Sequence, residues 1–474
     1  MTVSTTVAES TSTATTSHNP TPPGLAFVNF PSPFAQSLIE EALSSVLPDI
    51  RISCELGPVT PRLQWADYDL MSFDEARHDP RYLISSYIYR KALIRKHLLH
   101  NTATEYLAKC RHRGVSSALA LPRGWVLDIQ FADELDEALM DDLYDLAAAM
   151  RANETRKERE WFILKPGFAD KGQGIRLFST ADELRAIFEE FEPPSDDEGE
   201  DGEGGEDGEE DEVHQDAGAT AVLTQHLRQF VIQEYMPRPM LFDVTPSGLV
   251  GHKVHLRAHV LVTGAWEVYL SHALFVLFAG VRYTPPRSDD LDLRPHLTNV
   301  CIQTGQAPGQ VLHFWAMGGA TALAHTPTGY VATGTIDDAW LEATFAKTGA
   351  VIAEAVRAAA ECGSFNLQLM ENAFELFGVD LLLSHPHPHP HPDLACARDD
   401  AAPPVPDVTL LEFNASPDVV NSGDALRPNL VEMFEGIVRI GVVPFFGRGE
   451  NAMALGEDRW GWRKVGKGEV RGWA

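Results

Sequence analysis

"LLEFNASPD", residues 410–418, decides how this chain is read. A strand alternates its faces, so Glu412 and Asn414 point one way while Leu411 and Phe413 point the other. Burying a carboxylate costs several kcal/mol unless it is paired or holds a cation. A second strand bears on it: "FNLQLMENAFELFGVDLLLS" (365–384) sets Asp380 inside an otherwise apolar run. Side by side, the two strands would gather Asp380, Glu412 and Asn414 into one cluster. Hard oxygen donors with few other charges suit Mg2+, which keeps several waters and bridges to substrate phosphates.

Upstream, "HKVHLRAHVLVT" (252–263) alternates Lys253, His255, Arg257 and His259 with Val254, Leu256, Ala258 and Val260. That pattern lines one wall of a cleft with charge, or else marks an exposed sheet face. "REWFILKPGFADKGQGIRLFS" (159–179) opens with a strand whose alternate residues are Trp161, Ile163 and Lys165. Its loop holds Lys171, Gly172 and Gly174, where backbone N–H groups can approach phosphate because glycine has no Cβ. It is neither a Walker A sequence nor GxGxxG, and a plain hairpin turn is the alternative. Thr180 and Glu183 then form a capping box ahead of "ELRAIFEEF". "FVIQEYMPRPMLF" (230–242) supplies a strand over 230–233, and "LRPHLTNVCIQ" (293–303) sets Thr298 and Asn299 before an apolar strand. "AWEVYLSHALFVLFAGVRYTPP" (265–286) reads as a strand and a helix-like run ending in Arg282.

At the start, "GLAFVNF" (24–30), "PFAQSLIEEALSSVLP" (33–48) and "DIRISCEL" (49–56) give a βαβ pattern, hence a small α/β domain. Residues 82–110 predict one or two amphipathic helices studded with Arg90, Lys91, Arg95, Lys96 and His97. In an acidic chain this stretch is either a solvated helical face or a surface that meets an anionic substrate.

With 474 residues, 44% of them hydrophobic, the chain can build two or three domains with real cores. The net charge of -30 is concentrated: twelve acids and no base lie between Asp196 and Glu212, leaving -18 elsewhere. Such a run cannot bury apolar surface and reads as a solvated, disordered insert, with a regulatory tail as the other reading. "SHPHPHPHPDLACARDDAAPPVP" (384–406) reads as a PPII-like surface loop; His387, His389 and His391 as a transition-metal trap is the alternative. Five scattered cysteines (Cys54, Cys110, Cys301, Cys362, Cys396) suggest reduced thiols. The Ser/Thr-rich lead has neither a basic n-region nor an apolar core, so no signal peptide is expected. The longest apolar run, Leu270 to Val281, is too short to span a bilayer. A cytoplasmic protein is expected, without membrane or direct nucleic-acid binding.

In order, "WFILKP...KGQGI", "VIQEYM", "HKVHLR", "HLTN", "FELFGVDLLL" and "LLEFNASP" resemble the tubulin–tyrosine ligase-like family over roughly residues 24 to 445. They look closest to its fungal branch, linked to mRNA-decapping bodies, with no length left for the N-terminal phosphatase-like domain of some members. The resemblance implies an α/β (α+β) ATP-grasp fold, with a small N-terminal α/β domain and two subdomains clamping ATP. The divisions expected are a disordered lead (1–23), N-terminal domain (24–130), central subdomain (131–257, acidic insert 194–218), C-terminal subdomain (258–445, His/Pro loop 384–407) and tail (446–474).

The resemblance also assigns roles. Lys165 and the loop Lys171–Gly174 would hold the triphosphate, and Gln233 with the main chain of Glu234 and Tyr235 the adenine. Lys253 and Arg257 would face the γ-phosphate and the acyl phosphate or amino acid. Arg282, Thr298 and Asn299 would line the amino-acid and nucleotide pocket, while Asp380, Glu412 and Asn414 would bind Mg2+. The activity implied is ATP-dependent ligation of an amino acid to a protein carboxylate, on a tubulin tail or another protein. A catalytically reduced ATP-binding adaptor, partnered with mRNA-decapping factors, is the alternative. One position departs: the family strand usually reads Lys-x-Asp-x-Arg, and here the middle residue is His255, which puts ribose and amino-acid recognition in question.

Overall fold

A computed structural model describes residues 24–57, 60–129, 134–167, 172–191, 229–236, 238–245, 247–290, 292–298, 310–363, 365–386, 401–415, 417, 419, 426–449 and 451–468. The lead, the acidic insert, His387, His389, His391, Lys171, Asn299, Cys301 and Cys396 lie outside the described residues.

The first sheet is parallel: β1 (Leu25–Asn29), β2 (Arg51–Ser53), β3 (Leu63–Ala66) and β4 (Leu83–Ile84), in the order β2-β1-β3-β4. The βαβ reading holds, with the connecting helix at Pro33–Val46. Ser32 caps that helix, its hydroxyl accepting from Ala35 N–H, and Pro33 begins it, where its missing N–H costs nothing. Residues 82–110 are helical only in part. They start as β4 and become helical at Lys91–Ile94 and Lys96–Arg113, the second helix ending in a left-handed Gly114.

The second sheet is antiparallel: β5 (Gly124–Asp128), β6 (Phe162–Pro166), β7 (Arg176–Phe178) and β8 (Gln229–Glu234), ordered β5-β8-β6-β7. The Thr180–Glu183 capping box forms in both directions at 3.2 Å. Expected with the N-terminal domain, β5 pairs instead with β8.

Among the described residues the third sheet has eleven strands: β9 (Leu241–Val244), β10 (Leu249–Thr263), β11 (Glu267–Ser271), β12 (Phe275–Arg282), β13 (Val311–His313), β14 (Thr321–Thr326), β15 (Gly329–Thr335), β16 (Phe374–Ser384), β17 (Asp407–Asn414), β18 (Asp458–Arg459) and β19 (Trp462–Lys467). The run expected as helix-like is β12: short apolar runs do not distinguish the two states by periodicity, and cross-strand partners on β10 and β13 settle it. The expected tail contributes β18 and β19, anchored by the fully buried Trp462 pairing beside β11.

Fifteen-residue β10 is the hub. Its first residues pair with β9 and β12; further along, β16 replaces β9 and β11 replaces β12. The register shifts beside Gly251, whose φ of +74° favours glycine and whose absent Cβ leaves room for the Tyr330 ring. The boundary expected at 257/258 falls inside this continuous strand. The helix Asp338–Cys362 packs over the sheet through Leu341, Phe345, Ile352 and Val356, closing the main apolar core.

Candidate nucleotide and metal site

Register builds the site. Arg257 on β10 lies opposite Asp380 on β16, and Asp380 lies opposite Glu412 on β17, giving one row across three strands. The apolar alternates bury themselves below it: Leu256, Ala258, Val379, Leu381 and Phe413 are all in the core. Arg257 grips Asp380 through two nitrogens, Nε to Oδ1 at 2.5 Å and Nη2 to Oδ2 at 3.0 Å. Burial alone would raise the Asp380 carboxyl, but Arg257 and His255 overcome it and hold it down at about 2. Glu412 pairs with Lys96 Nζ at 3.1 Å, and Asn414 Nδ2 approaches Asp380 Oδ2 at 3.5 Å.

These groups line a cleft of about 950 Å³, counting its open mouth. Lys165, Gly172, Gln233, Glu234, Tyr235, Lys253, His255, Thr298, Asp380, Glu412 and Asn414, all singled out from sequence, line it together. Arg257 sits behind Asp380 and is not on the lining; Gly174 is buried beside the loop turn. Arg282 is exposed at the end of β12, opposite His252, and is likewise absent from the lining. Lys96, named only within a basic stretch that could meet an anionic substrate, and His296, not singled out at all, also line the cleft. Lys96 was one base of a conspicuous basic run, and His296 stands two residues before Thr298; neither carries a signal of its own.

The lysines are unusual for their burial. Lys165 Nζ donates to Gln233 Oε1 at 2.9 Å; burial pushes it down to about 8 against the upward pull of Glu412. Lys253, 6% exposed, is driven to about 7 by burial, reinforced by the charge of Lys165. Its Nζ donates to the Tyr235 hydroxyl at 2.9 Å, and that hydroxyl lies 2.9 Å from His296 Nδ1. Burial, then Lys253, hold His296 at about 4, so its neutral ring can accept the tyrosine proton and leave the phenol oxygen to accept from lysine. His255 is also kept neutral, chiefly by burial, with Nε2 3.6 Å from Asp380 and Nδ1 hydrogen-bonded to the Thr298 hydroxyl.

Asp380, Glu412 and the Asn414 amide fit Mg2+, which takes one or two protein carboxylates and completes its shell with water and phosphate. Among the described residues no three His, Cys, Asp or Glu side chains converge, as a zinc site would need. With two carboxylates already balanced by Arg257 and Lys96, the site is charge-neutral enough to exist before any cation arrives.

The same architecture occurs in a solved structure. The chain superposes on the C-terminal domain from K. lactis Pby1, described as an ATP-grasp enzyme interacting with the mRNA decapping enzyme Dcp2. The TM-score is 0.60 with 24% identity, over 94% of this chain and all of that one. The fold is therefore that of the ATP-grasp enzymes. The tubulin-tyrosine ligase family model matches residues 121–449, and the chain belongs to that family. A probable tubulin–tyrosine ligase of Schizosaccharomyces pombe is 32% identical over 89% of this chain and 92% of its own length. The probable tubulin–tyrosine ligase PBY1 of Saccharomyces cerevisiae is 29% identical over 89% of this chain, which spans about half (52%) of that relative. Among the described residues no helix is long and apolar enough to cross a membrane.

Proposed function

We propose that this protein is an ATP- and Mg2+-dependent ligase that joins an amino acid to a protein carboxylate. The observation that carries the reading is the convergence of Lys165, Lys253, Asp380, Glu412 and Asn414 in one cleft, beside the Gln233–Tyr235 segment. A carboxylate is a poor electrophile; ATP makes it an acyl phosphate, and an amine then displaces phosphate. Lys165 and Lys253 would hold the phosphates, and the main chain of Glu234 and Tyr235 the adenine. Mg2+, when bound, would neutralise phosphate charge at Asp380, Glu412 and Asn414. Among the lining residues no Ser-His-Asp or Cys-His arrangement is needed, because catalysis here is positioning and charge neutralisation. The acceptor would be a tubulin tail or another protein in the cytoplasm. The central and C-terminal subdomains would clamp the nucleotide, with the small N-terminal unit beside them.

Calorimetry with Mg-ATP tests the site. The intact chain should bind, and Glu412→Gln should weaken binding at least about tenfold by removing one metal-ligating charge. Absence of binding by the intact chain, or unchanged binding in the variant, would refute the assignment.

One observation favours a second reading, an ATP-binding adaptor with reduced catalysis in an mRNA-decay assembly. Arg257 spends two nitrogens on Asp380, and His255 stands where the family carries Asp. Normal Mg-ATP binding without ATP consumption, together with co-purification of a decapping factor, would favour the adaptor.

A further inference from the structure

Of Arg90, Lys91, Arg95, Lys96 and His97, only Lys96 lines the nucleotide cleft. It opens the helix Lys96–Arg113, and its Nζ lies 3.1 Å from Glu412 Oε2, with the two side chains 19% and 21% exposed. A lysine therefore holds a carboxylate that the metal assignment also needs.

The two cations that neutralise the cluster differ in kind. Arg257 and Asp380 face each other in register on neighbouring strands of one sheet, joined through two nitrogens. That pair persists as long as the sheet does. Lys96 instead meets Glu412 across a helix–strand junction, through one nitrogen on a flexible four-carbon stem. A single lysine–carboxylate contact partly open to water is weak. A divalent ion brings more charge to shorter range, so it outcompetes a lysine for a hard oxygen.

Space and charge around Lys96 allow it to change partner. Beyond the main cleft it borders a second, smaller cavity of about 240 Å³ with its mouth, shared with His100, Lys165 and Gln233. Open space thus adjoins the lysine in both cavities, and its side chain can redirect without moving the helix. Glu412 pulls the Lys165 ammonium upward while Lys96 pushes it down, so the three charges act on one another where phosphate would lie. The helix itself is seated on both clamping sheets. A Cβ on Gly124 of β5 would come 3.0 Å from the His100 ring, and Tyr106 Oη donates to Glu354 Oε2 at 2.8 Å on the helix that covers the large sheet.

We infer that Lys96 is a stand-in cation: it competes with the metal for Glu412, yields that carboxylate when Mg2+ arrives with nucleotide, and turns its ammonium to the phosphates. This role rests on the ATP- and Mg2+-dependent reading of the cleft and adds a residue from outside the two clamping sheets. Charge stays paired throughout, because the metal replaces Lys96 at Glu412 and the nucleotide supplies an anion for the displaced ammonium. Metal alone must displace Lys96 without offering it a new partner, whereas metal with nucleotide offers one. The cleft therefore favours the loaded nucleotide over the bare ion.

Two binding measurements of opposite sign on the full chain test this. Mn2+, which accepts the same oxygen ligands, is titrated without nucleotide and followed by its electron paramagnetic resonance signal. Mg-ATP is titrated by calorimetry. Lys96→Met should bind Mn2+ alone at least about threefold more tightly, having lost the competitor for Glu412, and Mg-ATP at least about tenfold more weakly, having lost a phosphate contact. Lys109→Met, near the other end of the helix, where the lysine pairs with Glu105, should change neither. Weaker binding of both ligands by the Lys96 variant would make Lys96 a structural support and overturn the inference. So would Mn2+ binding that does not tighten, or Mg-ATP binding that does not weaken. Failure of the wild-type chain to bind Mg-ATP would instead overturn the nucleotide reading, and the Mn2+ titration would still decide the competition for Glu412.

Discussion

Lys253 should make nucleotide binding depend on pH in a way that ordinary lysine contacts do not. Its side chain is 6% exposed, and burial with the nearby charge of Lys165 brings it from 10.5 down to about 7. That difference corresponds to about 5 kcal/mol against the charged form. The unfolded chain keeps this proton up to about pH 10.5, whereas the folded chain releases it near 7. Between those values the unfolded state binds more protons, so the folded chain gains stability as pH rises through the window. Phosphate reverses the preference, because a polyanion in the cleft favours the ammonium. Affinity for Mg-ATP should therefore be nearly flat below pH 7 and fall about tenfold per unit between 7 and 8. Above 8 the fall should steepen as Lys165, held at about 8, also loses its proton. Lys253→Met should bind more weakly throughout, lose the limb between 7 and 8, and keep the one above 8. Calorimetry in two buffers of different ionisation heat should show about half a proton taken up on binding at pH 7 and about one and a half at pH 8, where Lys165 also contributes. Constant affinity from pH 6 to 9, or a Met variant that retains the first limb, would refute the reasoning.

Three further perturbations follow from the same geometry. Arg257→Leu leaves Asp380 buried without its bidentate partner and should cost about 3–5 kcal/mol in urea unfolding, partly recovered in Arg257→Leu/Asp380→Asn. Glu375 is raised from 4.5 to about 7, so its contribution, about 3 kcal/mol, is present below pH 4.5 and lost as pH rises through 7; Glu375→Gln should flatten stability across that window. Gly378→Ala drives a methyl to 2.9 Å from Pro417 Cβ and should cost about 1–3 kcal/mol in thermal unfolding while also weakening Mg-ATP, because Arg257 lies beside it.

The site was legible in the sequence where alternation carries meaning. Lys253, His255, Arg257 and His259 at every second position of β10, and Glu412 with Asn414 on β17, can only share a face, and the register then sets Arg257, Asp380 and Glu412 in line. What alternation cannot show is which charges meet one another. Arg257 was expected to face phosphate and instead holds Asp380. Lys96 reaches Glu412 because its helix docks near β17, a tertiary fact absent from the helix's own pattern. His296 acts through Tyr235, and nothing in "HLTN" announces that contact. The strand β12 was misjudged because an apolar run of its length suits either state, and the last two strands because a short C-terminal segment gains its structure only from β11. The Arg90–Glu375 pair is invisible in sequence for the same reason: the two are 285 positions apart and meet only because the start of the helix Lys91–Ile94 packs against β16.

Whether ATP in this cleft drives ligation is tested most directly by following label. Ribosome-free, dialysed cell extract should be incubated with the purified chain, Mg-ATP and each labelled amino acid in turn. Label should enter protein only with ATP and the intact chain, for at least one amino acid, and should be lost with Lys253→Met. Label transfer that is absent for every amino acid, or independent of ATP, would contradict the ligase.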